Sequence, residues 1–344
     1  MQPSDLHVIG CYYNFLGAQS PKKLFLDWID YQLECGVSLH IGEFSVGEIP
    51  FVLDPKDTKL KNVNVIQIKG SAENQLWIRE AIFNRVTKHL PDTAKYICLD
   101  DTDIRHTRSD WVLATIEMLQ YHRLGQTWSH SVDLGHKHSI VPNDWGHETD
   151  RSFCWAWLQG DIEPQWAGDF GSSGKPPSYG IEPKHQALAL GRTSKQTDWR
   201  AHTGYSWAYR RQTLNDLGGL LDWMITGASD WHQAYSYAGY LKGPDPEMSP
   251  GYQRRLAEFV RRCDLYVKQD IGCVEGTVVH GWHGKKVNRN YGTRMDVIHE
   301  SKFDPDIDLV YDFNGIPAIC GDNRKLRDGI RRLHAKTYPD LIDT

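Results

Sequence analysis

Asp101-Thr102-Asp103 sets two carboxylates one residue apart, directly after the run Tyr96-Ile97-Cys98-Leu99 and a further acid, Asp100. Small acids at the end of a buried strand make a hard-oxygen site that suits Mg²⁺ or Mn²⁺, with phosphate oxygens completing the shell. An ion held there can stabilise a departing diphosphate as a Lewis acid. Asp-x-Asp also occurs in turns, where Asp side chains accept local N–H groups, so the spacing alone leaves both readings open. A second group lies far along the chain. The apolar run ending Val278-Val279-His280 continues as Gly281-Trp282-His283-Gly284-Lys285-Lys286. Two imidazoles three positions apart suit an ion that accepts nitrogen beside carboxylate. Lys285, Lys286, Arg289 and Arg294 offer cations to phosphates. The alternative is a pair of hydrogen-bonded loop histidines beside a solvated basic surface.

Strands and helices must position these groups. Residues 6–12 form an apolar run suited to a buried strand, and Ser20-Pro21 reads as a helix start with Ser as cap. Leu24, Phe25, Trp28, Ile29 and Leu33 follow at helical spacing, and Gly36 ends the helix. Residues 37–41 and 63–68 are predicted strands, 75–90 an amphipathic helix stopped by Pro91, 96–99 a strand and 111–120 a helix. This order predicts a mostly parallel sheet covered by helices, with ligands beyond the carboxyl ends of its strands. From 136 to 200 no period is evident, and residues 171–177 read as a linker. Regular structure is expected again as strands at 205–210 and 273–280 and helices at 230–240, 253–268, 288–299 and 325–336. The expected division is a nucleotide-sugar-binding half (1–135), an irregular insert that could serve as acceptor region or lid (136–200) and an acceptor half with the metal-binding turn (201–344).

Composition narrows the functional classes. A formal charge of −5 gives no global field for nucleic acid, although basic residues pair locally at Arg210-Arg211, Arg254-Arg255, Arg261-Arg262 and Arg331-Arg332. Seven scattered Cys with no C-x-x-C spacing indicate neither a disulfide framework nor a structural zinc site. No apolar run is long enough to span a bilayer and the first residues do not read as a signal peptide, so the expectation is a cytoplasmic chain without membrane contact or an obligate protein partner. Thirteen Trp and 16 Tyr are compatible with stacking on sugars or bases, and equally with an aromatic core. Trp207 and Trp223 are candidate acceptor platforms, and Gly204 permits close backbone approach to a donor sugar.

Together these segments resemble the GT-A fold of nucleotide-sugar glycosyltransferases, an α/β fold with a mixed, mostly parallel sheet flanked by helices. The β-1,4-galactosyltransferase type carries a late Met-x-x-His metal turn, to which His280-Gly281-Trp282-His283 is similar with His in place of Met. Its Asn-Arg-Ala-Lys helix is matched by Arg79-Glu80-Ala81-Ile82-Phe83-Asn84, and its Phe-Arg-Asn-Arg loop more loosely by Tyr12-Tyr13-Asn14-Phe15, which lacks the Arg. Bacterial and phage family-2-like glycosyltransferases resemble the chain over more of its length. The matching pieces are Arg108-Ser109-Asp110-Trp111, Gln126-Thr127-Trp128-Ser129, His202-Thr203-Gly204-Tyr205-Ser206-Trp207-Ala208, Leu217-Gly218-Gly219-Leu220, Gly227-Ala228-Ser229-Asp230 and the His-x-Trp-His-Gly turn.

The resemblance implies an inverting transfer of a hexose from a UDP-sugar, with Mn²⁺ or Mg²⁺ as cofactor. It implies Asp103, His280 and His283 at the metal and Asp101 at the metal or the donor. Tyr12, Asn14, Arg79, Asn84, Gly204 and Lys285 are then expected at the donor, and Trp128, His202, Trp207, Trp223 and Asp222 at the acceptor. Asp230 replaces the usual Gly-Glu-Asp acid as candidate base, with Asp222 and His202 as alternatives. A hydroxymethylated pyrimidine in phage DNA, such as 5-hydroxymethylcytosine, is the acceptor that the resemblance implies. Arg192, Lys195, Arg200, Lys285, Lys286 and Arg289 could then line a groove for it. A surface glycan or small-molecule acceptor, a non-catalytic sugar- or nucleic-acid-binding protein and a metal-dependent phosphohydrolase or nucleotidyltransferase are the other readings.

Overall fold

The computed structural model describes residues 1–142, 148–162, 201–241, 247–284 and 293–336. Its first elements are β1 (Leu6–Tyr13), α1 (Gln19–Glu34), β2 (Ser38–Val46), β3 (Asn64–Gly70), α2 (Arg79–Thr87) and β4 (Tyr96–Asp100). After these come β5 (Ile104–His106), α3 (Trp111–Tyr121), β6 (Leu124–Gln126), β7 (His130–Leu134), β8 (Ile140–Val141), β9 (Asp150–Ser152) and α4 (Phe153–Leu158). Then follow β10 (Ala201–His202), β11 (Ser206–Arg210), α5 (Arg211–Asp216), α6 (Ser229–Tyr237), α7 (Pro250–Tyr266), β12 (Ile271–Cys273) and β13 (Thr277–His280). The last are α8 (Arg294–Ser301), β14 (Leu309–Tyr311), β15 (Pro317–Ile319) and α9 (Arg324–Lys336).

The expected mixed, mostly parallel sheet flanked by helices is present. Seven strands run in the order β12-β6-β11-β4-β1-β2-β3, with β11 antiparallel to both its neighbours and the other pairings parallel. Alternation along β1 divides the core. Leu6 and Val8 pack with Phe25, Trp28 and Ile29 of α1 and Trp111 and Ile116 of α3, whereas Ile9 and Cys11 meet Ile82, Phe83 and Val86 of α2 on the other face. The chain leaves β1 towards β2 on one side and returns to β4 on the other. This topological switch opens a crevice beyond the ends of β1 and β4.

The site also needs a second sheet, ordered β10-β9-β7-β13-β5 with β8 paired to β7. Here the structure departs from the sequence expectation. The run 273–280 is not one strand: β12 joins the large sheet and β13 the small one, with Gly276 at φ 155° between them. The stretch 136–200 contains β8, β9 and α4; residues 163–200, with the 171–177 segment, lie outside the described residues. The helix expected from 75 starts only at Arg79, because the Trp77 amide is drawn to the Ile225 carbonyl at 2.9 Å. Ser20 does not cap α1. Ala18 is the N-cap, and its own amide donates to Asn14 Oδ1 at 3.0 Å. The aromatic count is largely absorbed by the core, where Trp28, Trp111, Trp128 and Trp231 are fully buried. Among the described residues, no helix is long and apolar enough to cross a membrane.

Three buried histidines bear on acid stability. Burial pushes His40 down to about 4, with His7 adding to the effect, His106 to about 3 and His232 to about 4, the last despite the Ala228 carbonyl. Each is held neutral in the folded chain below the ordinary 6.5. The unfolded chain therefore takes up protons first as pH falls, and stability present above about 6.5 is lost towards pH 4 at about 1.4 kcal/mol per pH unit per group. Across pH 7.5 to 4.5 the urea midpoint of the wild type relative to that of His40→Gln should fall, since only the wild type loses the His40 contribution. A midpoint difference independent of pH over that range contradicts this.

Candidate metal centre and active site

Asp100 anchors the acidic cluster. It ends β4 opposite Gly10 of β1 and is fully buried. A Cβ at Gly10 would collide with the Trp28 ring, so the glycine lets that indole lie against the sheet. Trp28 Nε1 and Gln32 Nε2 then donate to Asp100 Oδ2 at 2.7 and 2.9 Å. Burial raises Asp100 to about 7, with Ser206 and Trp28 hydrogen bonds opposing. Its work is to fix where the next three residues leave the strand.

Those residues diverge. Asp101 turns to α2, where Arg79 Nη1 donates to both its oxygens at 2.7 and 3.0 Å. The other side of the guanidinium holds Glu80 Oε1 at 2.9–3.0 Å, and Glu80 accepts from Trp77 Nε1. Burial pushes Asp101 up to about 7 against Arg79, with Asp103 and Asp230 pushing the same way. Asp103 turns to the small sheet. β13 lies antiparallel to β5 with Ile104 opposite His280, and the Gly281 amide donates to the Asp103 carbonyl at 2.7 Å. This pairing swings both imidazoles onto the acid. Asp103 Oδ2, His280 Nε2 and His283 Nε2 form a triangle with sides of 3.4, 3.1 and 3.2 Å.

The triangle fits a single small divalent cation. Ligands at about 2.1 Å from one ion and 90–110° apart are separated by roughly 3.0–3.4 Å. Among the described residues the buried Asp103 Oδ1 has no hydrogen-bond partner, so it has acceptor capacity to offer a ligand. Burial pushes Asp103 up, but His280 and then His283 hold it well below the usual carboxylate range. Three potential ligand atoms converge here, with His280 buried and Asp103 and His283 reachable from outside.

Asp230 lies close enough to Arg79 and Asp101 for their charges to interact. Gly227 at φ 93° and Ala228 at φ 69° make a tight left-handed turn into α6. All residues of that helix are buried except Asp230, which remains partly exposed in its first turn rather than serving as the N-cap. Thr203 Oγ1 donates to Asp230 Oδ2 at 3.2 Å, and a Cβ on Gly204 would sit 3.0 Å from the same oxygen. His202 stacks on Tyr205 at 4.1 Å, and its Nδ1 accepts the Gly204 amide at 3.1 Å; burial lowers its pKa. Trp128 packs on both rings.

Other expected site residues have internal partners. Tyr12 stacks on Phe25 at 4.4 Å, and Asn14 ties Tyr12 to Ala18. Asn84 is spent on Leu220 and Asp222, and Asp222 also accepts from Tyr311 at 2.9 Å. Trp223 packs edge-on to Tyr252, and Trp207 donates to the Thr203 carbonyl; both are buried. Arg254 and Arg255 pair with Asp306, and Arg261 with Glu258. Lys285, Lys286 and Arg289, like Arg192, Lys195 and Arg200, lie outside the described residues.

Sequence reasoning missed a cavity of about 180 Å³ beyond the end of β1. Tyr13, Asn14 and Phe15 from the end of β1 line it, with Trp77, Arg294 and His334. The Arg294 guanidinium lies 4.8 Å above the Trp77 ring. Trp77 thus joins the cavity wall to Glu80, Arg79 and Asp101. Arg79 in the helix motif was a signal for the inner end of this chain, and Arg294 was read as a cation for phosphates; Trp77 carried none.

Similar folds exist among solved structures at low similarity. The catalytic domain of a Drosophila β1,4-galactosyltransferase 7, in complex with xylobiose, is 10% identical with a TM-score of 0.37, over 94% of this chain and 98% of that one. TarS 1–349 of S. aureus in complex with UDP is 10% identical with a TM-score of 0.34, over 78% and 66% of the two chains. The 4-diphosphocytidyl-2C-methyl-D-erythritol synthase of Anaerococcus prevotii is 10% identical with a TM-score of 0.34, over 97% and 100%. Likeness at this level carries no activity, substrate or metal to this chain. No protein-family model matches the sequence, and none of the curated proteins does.

Proposed function

We propose that this protein is a metal-dependent glycosyltransferase that moves a hexose from a UDP-sugar to an acceptor hydroxyl. The observation that carries the reading is the convergence of Asp103, His280 and His283 beside the Arg79–Asp101 pair, with the partly exposed Asp230 on a buried helix nearby. Asp103, His280 and His283 hold the cation. Two imidazoles in three favour Mn²⁺ over Mg²⁺, which prefers an all-oxygen shell. Bound there, the cation supplies charge stabilisation for the departing diphosphate. The cavity between Tyr13, Phe15 and Trp77 receives the donor's uracil, and Asp101, fixed by Arg79, accepts from a donor hydroxyl.

Asp230 takes the proton of the acceptor hydroxyl while its oxygen attacks the anomeric carbon and UDP leaves. A single displacement of this kind inverts that carbon. A hydroxymethylated pyrimidine in DNA is the acceptor we propose, on the sequence resemblance; its binding should weaken steeply with salt.

Incubation with Mn²⁺, a panel of UDP-sugars and either hydroxymethylcytosine-containing or plain DNA tests this, with nucleotide products and nucleoside masses read together. The expected products are UDP and a nucleoside heavier by one hexose in the modified DNA only. UMP with sugar phosphate would instead make the protein a nucleotide-cleaving enzyme. UDP release with unmodified nucleosides in both DNAs would remove the DNA acceptor and leave sugar transfer standing.

A further inference from the structure

Asp133 touches no expected reactant, yet the fold ties it to a residue of the metal triangle. In the parallel pairing of β7 and β13, Asp133 is the register partner of His280, so the two side chains stand beside each other. Asp133 Oδ1 lies 2.6 Å from His280 Nδ1, and the Tyr205 hydroxyl donates to the same oxygen at 3.3 Å. An ionised carboxylate only accepts, so the close contact puts the hydrogen of the neutral ring on Nδ1. His280 Nε2 is then the acceptor atom of the ring, facing Asp103 Oδ2 and His283 Nε2. Two acceptor atoms 3.4 Å apart repel unless a proton or a metal cation lies between them.

Tyr205 reinforces the arrangement. Its backbone is left-handed, at φ 71°, which is uncommon for an aromatic residue and is kept only where the surroundings hold it. Its ring lies 5.0 Å from that of His280 and is stacked on His202 from the other side, and Trp128 packs at 5.3 Å. Its carbonyl accepts the Asp101 amide at 3.0 Å. One residue therefore braces both branches of the acidic cluster.

We propose that Asp133 and Tyr205 are positioning residues that fix the tautomer and ring orientation of His280 and so set the cation affinity of the site. This rests on the reading of Asp103, His280 and His283 as cation ligands. Outer partners of metal-bound histidines contribute roughly 10- to 100-fold in affinity. Asp133→Ala should therefore weaken Mn²⁺ binding about 10- to 100-fold, followed through the EPR signal of the free ion. Asp133→Asn, which keeps an acceptor oxygen, should recover part of the loss. Tyr205→Phe, which removes one hydrogen bond and keeps the ring, should weaken binding about 3- to 10-fold. EDTA-treated variants should unfold near the wild-type temperature.

In the metal-free wild-type chain, ¹H–¹⁵N correlations of the His280 ring, assigned with His280→Gln, should show the proton on Nδ1. A proton on Nε2, or wild-type Mn²⁺ affinity in Asp133→Ala, overturns this proposal alone. Absence of Mn²⁺ binding by the wild-type chain overturns the metal reading and, with it, this role.

Discussion

Asp103→Ala is expected to lower UDP-sugar turnover by at least about 10²- to 10³-fold, the scale seen when a group that stabilises transition-state charge is removed. Asp103 is the one anion of the triangle, and both neighbouring imidazoles lie within 3.4 Å of its Oδ2. Without it, two neutral nitrogens remain to oppose the hydration of a divalent ion. The local fold should survive, because the Gly281 amide bonds to the Asp103 backbone and the β5–β13 pairing uses no side chain. Asp103→Asn should fall nearly as far, since it keeps the shape and loses the charge. Steady-state UDP release at saturating Mn²⁺ measures the effect. Unchanged turnover in both variants would move the chemistry elsewhere.

Asp230→Asn should produce the second large effect, a fall in kcat of about 10²- to 10⁴-fold with Mn²⁺ and UDP binding retained. The competing bases are less suited. Asp222 already accepts from Asn84 and Tyr311. The imidazole of His202 accepts the Gly204 amide and stacks on Tyr205. Asp230 has Thr203 as its described donor and keeps partial exposure on an otherwise buried helix. Single-turnover transfer measured beside equilibrium Mn²⁺ affinity separates base from ligand. Equal loss of affinity and rate would show that Asp230 shapes the metal site instead. Full activity would return the role to His202 or Asp222.

The parallel half of the fold was legible because its strands are long apolar runs and α1 shows a clear helical period. The acid cluster was legible for the same reason, since β4 leads straight into it. The meeting of Asp103 with His280 was expected from the resemblance alone and not from the local pattern of either segment. It depends on an antiparallel pairing of only three register partners, between strands of three and four residues that are remote in sequence. Strands so short carry no readable alternation. Asp133 was invisible for a related reason: a single acid in β7 signals nothing until its neighbour is known. The late start of α2 and the break between β12 and β13 show tertiary contacts and a glycine overriding local pattern.

The proposed function stands on a divalent cation held by Asp103, His280 and His283. Crystals of the full chain soaked in Mn²⁺ and measured near the manganese absorption edge test it most directly. One anomalous peak is expected, bounded by Asp103 Oδ2, His280 Nε2 and His283 Nε2 and lost in Asp103→Ala. A peak elsewhere, or none at Mn²⁺ concentrations that support turnover, would contradict it.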